Sequence, residues 1–211
     1  MAVEPLISAV QNASSALELL QATAALARTA DAAATPTLVE VLGFNNPGAA
    51  VAAVDGLIAI GRPAVDHLLQ LDPRNYGARA WAVRALAGIG DVRGLELLLE
   101  ALLTDVGPSV RRAAAKGLGS LQLGMLPTAE RSAIELRCLE ALVEATGDGE
   151  WVVRYAVAVG IEGLALNSCW RSEHLNHAAS CGALNRLSDA AQEEATVVRL
   201  RAALALQRLM P

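Results

Sequence analysis

The chain has almost no lysine. Lys116 is the only one in 211 residues, and the other 16 basic side chains are arginines. Acidic residues outnumber basic ones by 22 to 17, a formal charge of −5. That balance disfavours a nucleic-acid partner unless the arginines gather on one face. Aromatic residues are scarce too: Phe44, Tyr76, Trp81, Trp151, Tyr155 and Trp170 are all of them. Strands of sandwiches and barrels draw on aromatic and β-branched residues, so an all-β fold is disfavoured. Long hydrophobic runs are missing. The longest stretch without a charged residue, Val41 to Val54, is interrupted by Asn45-Asn46-Pro47-Gly48. A membrane span takes about 20 apolar residues, and no basic segment precedes an apolar run at the N-terminus. The sequence therefore reads as having neither a span nor a secretory signal. The three cysteines, Cys138, Cys169 and Cys181, make no Cys-x-x-Cys pair and no even framework. A reducing, cytoplasmic compartment is expected.

Helix-forming residues are abundant. There are 43 alanines and 34 leucines, both strong helix formers. With 54% hydrophobic residues and a mean hydropathy of +0.37, some apolar surface is expected to meet a partner protein.

Five segments share one pattern: PGAAVAAVDGLIAIG from Pro47, YGARAWAVRALAGIG from Tyr76, PSVRRAAAKGLGSLQ from Pro108, WVVRYAVAVGIEGLA from Trp151 and TVVRLRAALALQRLM from Thr196. Set in phase, they carry Ala50, Arg79, Arg111, Arg154 and Arg199. Three residues later stand Ala53, Ala82, Ala114, Val157 and Ala202, and seven later Leu57, Leu86, Leu118, Ile161 and Leu206. The +3/+7 spacing is one helix face, and its small residues allow close helix approach. Each segment follows another amphipathic helix: Thr37–Leu42, Pro63–Leu71, Gly94–Leu103, Ser132–Ala145 and Glu173–Leu187. Ala16–Ala27 adds a unit or cap at the start. The phase spacings are 29, 32, 43 and 45 residues, the scale of HEAT or armadillo units. Turn signals separate the helices at Asp72-Pro73, Gly90-Asp91, Gly107-Pro108 and Gly147-Asp148-Gly149. Leu123–Pro127 and Leu166–Arg171 are the loop candidates. The expected fold is all-α, a HEAT-like α-solenoid of five to six helical hairpins, each burying its apolar face by stacking. Nothing marks a separate domain boundary, so 1–211 reads as one repeat domain.

The sequence contains no P-loop, dinucleotide fingerprint, HExxH or GxSxG. His174 and His177 lie three apart and with Cys181 offer an incomplete metal set, against the simpler reading of a solvated helix face. Cys138, on an amphipathic helix, reads as packing. Tyr76 and Trp151 each precede their phase arginine by three; Trp81 follows Arg79 by two, and Tyr155 follows Arg154 by one. Stacked aromatics and guanidinium forks would suit a flat, conjugated, anionic ligand. On that reading a groove takes Tyr76, Arg79, Trp81, Trp151, Arg154 and Tyr155 on its sides, with Arg111 and Arg112 at its floor. A second reading stands beside it. Asp105 and Asp148 precede Arg111 and Arg154 by six, and such Asp/Arg pairs can simply tie neighbouring repeats together.

The strings GFNNPGAAVAAVDGL (43–57), NYGARAWAVRALAGIGDVRGL (75–95), SVRRAAAKGLG (109–119) and EWVVRYAVAVG (150–160) resemble the E/F-type phycobilin lyases, on the side of their F-type (beta) subunits. The resemblance is strong from Pro36 to Leu164 and only a matter of length and pattern elsewhere. It implies a heterodimer with an E-type subunit. The pair would attach phycocyanobilin through a thioether to a cysteine of the phycocyanin alpha subunit, in cyanobacteria. The nucleophile would be the acceptor's thiol, adding to the ethylidene group of the bilin's A ring. Bilin would be a substrate, with no cofactor. Family members that also isomerise the bilin carry Asn-His-Cys; here Asn176-His177 is followed by Ala178. A non-catalytic HEAT scaffold that binds phycobiliproteins, in phycobilisome assembly or degradation, is the alternative.

Overall fold

The computed structural model describes residues 3–167 and 174–209, without the side chains of 174–176. Among the described residues every regular element is helical. The chain divides into two compact units, Met1–Gly94 and Leu95–Pro211.

The first unit holds α1 (Glu4–Gln11), α2 (Ala16–Ala27), α3 (Thr35–Val41), α4 (Pro47–Ile60), α5 (Val65–Leu69) and α6 (Tyr76–Ile89). These form three hairpins, whose second helices α2, α4 and α6 pack one on the next. The helices start where the sequence supplies caps. Ser15 Oγ accepts from the Glu18 amide at 3.2 Å. Asn46 and Asn75 Oδ1 accept from the Ala49 and Ala78 amides, each at 3.1 Å. Each satisfies a backbone donor that the first turn of a helix leaves orphaned. Asn46 also donates from Nδ2 to the Ala16 carbonyl at 2.9 Å, fastening α4 to the start of α2. Gly61 and Gly90 end α4 and α6 at φ of +74° and +69°, where the lack of a side chain is an advantage. Ala30, between α2 and α3, adopts φ +49° with a side chain in place.

The second unit holds α7 (Leu95–Thr104), α8 (Pro108–Leu118), α9 (Thr128–Glu144), α10 (Trp151–Asn167), α11 (His174–Ser188) and α12 (Thr196–Leu209). The wider phase spacing has a visible origin: α9 and α10 are 17 residues each, and a loop with Leu123–Pro127 in it precedes α9. Of the other expected loop, Leu166–Arg171, the first two residues end α10, and the rest, with Cys169 and Trp170, falls in segment 168–173, outside the described residues. Helix α8 packs on α10, and α10 on α12. The α8/α10 crossing is made of small residues. A Cβ on Gly163 would stand 2.6 Å from the Gly119 carbonyl oxygen, and one on Gly119 would strike the Gly160 backbone.

The face read from the +3/+7 spacing is the buried one. Ala53, Ala82, Ala114, Val157 and Ala202, and Leu57, Leu86, Leu118, Ile161 and Leu206, are all in the core. No single described helix is long and apolar enough to cross a membrane.

Candidate functional site

Arg111, Arg154 and Arg199, all in phase, are ladder rungs. Arg111 grips Asp148 with two parallel bonds, Nε to Oδ2 at 2.7 Å and Nη2 to Oδ1 at 3.0 Å. Its Nη1 donates to the Asp105 and Val106 carbonyls at 2.9 and 3.2 Å. Arg154 repeats the arrangement one unit on, with Nε and Nη2 on Glu193 at 2.6 and 2.8 Å and Nη1 on the Asp148 carbonyl at 2.7 Å. Arg199 donates from Nη1 to the Glu193 and Glu194 carbonyls, both at 2.8 Å. Each rung thus closes the turn before its own helix, and Arg111 and Arg154 each take the carboxylate that opens the next repeat. Bidentate geometry of this kind is strong and directional. Asp148 and Glu193 side chains are 9% and 3% exposed, so these pairs lie within the protein. Hydrogen bonds from Arg154 hold the Glu193 carboxyl below its ordinary range despite burial. Burial pushes Asp148 up, and the Arg111 bond and the Glu150 amide outweigh it, so it too is lowered. The expectation that Arg111 and Arg154 point free forks at a ligand gives way: their donors are committed to protein acceptors.

The other predicted residues are differently placed. In the first unit Tyr76 is the first residue of α6 and 48% exposed. Arg79, one turn on, is half-buried, as is Trp81. Arg84 lays its guanidinium carbon 4.8 Å from the centroid of the Trp81 ring, a cation–π contact. The sequence reading passed over Arg84, although its spacing of three from Trp81 is a helix-face signal. In the second unit Trp151 is the first residue of α10 and 47% exposed, Tyr155 is half-buried a turn later, and Arg112 is exposed on α8. Trp151 and Tyr155 share a helix face, as do Arg112 and Lys116. Trp81 and Arg84 form one patch in their unit. Trp151 and Tyr155, on the helix that packs against α8, form another.

The described residues hold no activated nucleophile and no group of three ligands able to bind a metal ion. Cys138 is fully buried, and burial pushes its thiol up to about 12. Burial also raises Cys181, whose Sγ lies 3.6 Å from His177 Nε2. The side chain of His174 and all of Cys169 lie outside the described residues. Pair chemistry at Cys181 and His177 would need the thiolate, which burial disfavours.

Residues 65–137 match the HEAT repeat family. Over 164 residues, 77% of each chain, the sequence is 56% identical to the phycocyanin alpha phycocyanobilin lyase CpcF of Synechocystis sp.. It is 50% identical to the bilin biosynthesis protein RpcF of Synechococcus sp., over 98% of this chain and 96% of that one. A phycocyanobilin lyase subunit beta of Thermosynechococcus vestitus is 46% identical, over 96% of this chain and 93% of that one. Among solved structures, a chain of the complex of CpcE and CpcF of phycocyanin lyase from Nostoc sp. superposes with a TM-score of 0.71 at 42% identity. That match covers 83% of this chain and 99% of the other. A designed armadillo repeat protein, 19% identical with a TM-score of 0.57, shares the fold alone. The all-α solenoid and identity near one half over almost the whole chain lead to one conclusion: the chain belongs to the F-type (beta) subunits of the phycobilin lyases.

Proposed function

We propose that this chain is one half of a heterodimeric lyase. With an E-type subunit it binds phycocyanobilin and presents it to a cysteine of the phycocyanin alpha subunit, in the cytoplasm of a cyanobacterium. The observation that carries this is identity of 50% sustained over 98% of the chain with a bilin biosynthesis protein of matching length. The acceptor's sulfur bonds to the ethylidene carbon of ring A, and the thiol proton is delivered to the adjacent π-system, so nothing is oxidised and no group leaves. The chain's own task is to hold one bilin conformer near the thiol and to cover one face of it. Such positioning contributes up to several kcal/mol of a barrier. For the rings we assign Trp151 and Tyr155 in the second unit. Arg112 remains a candidate for the anionic groups, while Arg111 and Arg154 act behind it by fixing the helices α8 and α10.

Reconstitution tests this. The chain, an E-type subunit, phycocyanobilin and phycocyanin alpha should together yield a covalent, fluorescent adduct, and either subunit alone a negligible amount. The adduct should keep the phycocyanobilin spectrum, since Asn176-His177-Ala178 lacks the cysteine of the isomerising relatives. A pair that binds phycocyanin alpha tightly yet transfers no bilin would favour the scaffold alternative.

A further inference from the structure

The second unit contains a cluster of positive charge that the ladder does not use. Arg112 and Lys116 stand one turn apart on α8. Neither has an acidic partner among the described residues. The carbonyl of Ala115 abuts Gly160 on α10, which sets the next residue, Lys116, beside the Gly160–Gly163 turn. From the opposite side α12 brings in Arg201, whose Nη2 donates to Glu162 Oε2 on that same turn. Glu162 Oε1 accepts from Arg208 Nη1 at 3.1 Å. One carboxylate thus faces two arginines, and neither Lys116 nor Arg112 bonds to it. Arg201 is only 11% exposed, and its Nη1 is buried without any acceptor. Burial lowers the Lys116 pKa, and the charges of Arg112 and Arg201 lower it further, so the three cations feel one another. Crowded like charges and an orphaned buried donor are both unfavourable. An arriving anion would relieve both at once.

Helix α10, which packs on both α8 and α12, carries Trp151 and Tyr155. In the repeat phase Tyr155 holds the place of Arg112, and Val159 that of Lys116. A flat conjugated molecule lying on Tyr155 would have its carboxylates within the range of the cluster. We propose that Arg112, Lys116 and Arg201 form the carboxylate-binding pocket for the two propionates of the bilin, with Tyr155 as the stacking platform between them. The assignment rests on the lyase reading above. It transfers anion recognition from the ladder arginines to the chain's one lysine and its neighbours.

The test separates carboxylate recognition from bilin binding in general. The complex of this chain with its E-type subunit is titrated with phycocyanobilin and with its propionate dimethyl ester, followed by absorbance. The wild-type complex should bind the diacid at least about tenfold more tightly than the diester. The double variant Arg112→Gln/Lys116→Gln should bind both alike, at the diester's level, with thermal midpoint and co-purification of the partner unchanged. Lys116→Met, which keeps the half-buried stem, should lose part of the preference and guards against a packing effect. Equal binding of diacid and diester by the wild type, or a preference that survives in the double variant, would overturn the assignment. Loss of the partner from the double variant would reassign the cluster to a protein contact. A wild-type complex that binds neither compound would instead sink the lyase reading, and this inference with it.

Discussion

The two units close comparable corners with different chemistry. Where α4 and α6 begin, Asn46 and Asn75 cap the helices, and Asn46 reaches the neighbouring hairpin by a single hydrogen bond. At the ladder position α4 has only Ala50. Where α8, α10 and α12 begin, guanidinium groups close the turns, and Arg111 and Arg154 add bidentate carboxylates 37 and 39 residues away. The first unit ties its other ends with one fan. Arg93 donates to Asp91 at 2.9 Å, Asp66 at 2.8 Å and the Arg62 carbonyl at 2.9 Å. In that fan Asp66 lies at the surface, 65% exposed, while Asp91 is as buried as Glu193 in the ladder, each side chain 3% exposed. Buried charge pairs punish the loss of one partner far more than exposed ones do. The second unit, with Asp148, Glu162 and Glu193 paired in this way against Asp91 in the first, should therefore be the more brittle of the two.

Arg154→Ala should produce the largest effect. It strands a buried Glu193, and about 3 kcal/mol of stability should disappear, read as a lower urea midpoint. Asn75→Ala, at the matching corner of the first unit, should cost about 1 kcal/mol. Equal losses would abolish the contrast between the units. Next comes the α8/α10 crossing. Gly119→Ala should cost about 2–3 kcal/mol by forcing two backbones apart, while Gly147→Ala, with nothing within 4 Å of its added methyl, should be nearly silent in the same denaturation experiment.

Acid sharpens the comparison further. Arg154 depresses the folded pKa of Glu193 below its ordinary 4.5. The pair's contribution is therefore complete above that value and is lost as pH falls through the depressed one. Glu193→Gln should flatten the fall in urea midpoint between neutral pH and about pH 3; an unchanged slope would assign the acid response to other carboxylates. The smallest effect belongs to Ala30. Its φ of +49° is unfavourable for an L side chain, so Ala30→Gly should stabilise the first unit by about 0.5 kcal/mol, visible as a small rise in melting temperature.

The stacking face could be read from the sequence because burial imposes its own period. Ala114, Leu118, Val157 and Ile161 had to be small or aliphatic at +3 and +7, and they are all in the core. The ladder was legible only as one of two readings. The six-residue offset of Asp105 and Asp148 from their arginines is real, yet those residues offer backbone carbonyls to the arginines that follow them. The carboxylate comes from the next repeat, and which repeat abuts which is a tertiary fact. The basic cluster was harder still. Arg112 was noticed for its place beside Arg111, while Lys116 and Arg201 belong to helices joined through α10, and no local spacing connects positions 116 and 201. Their significance depends on a partnerless nitrogen, which no sequence pattern records.

Cys138 bears on a hazard peculiar to proteins that handle electrophiles. A carrier that offers a bilin to a foreign thiol must not label itself. With its thiol pushed up to about 12 and wholly enclosed, Cys138 exists as thiolate in about one molecule in 10⁵ at neutral pH, and it has no path to a ligand on the helix surface. On the proposed lyase reading, the packing that makes this cysteine chemically inert removes it from competition with the acceptor for ring A.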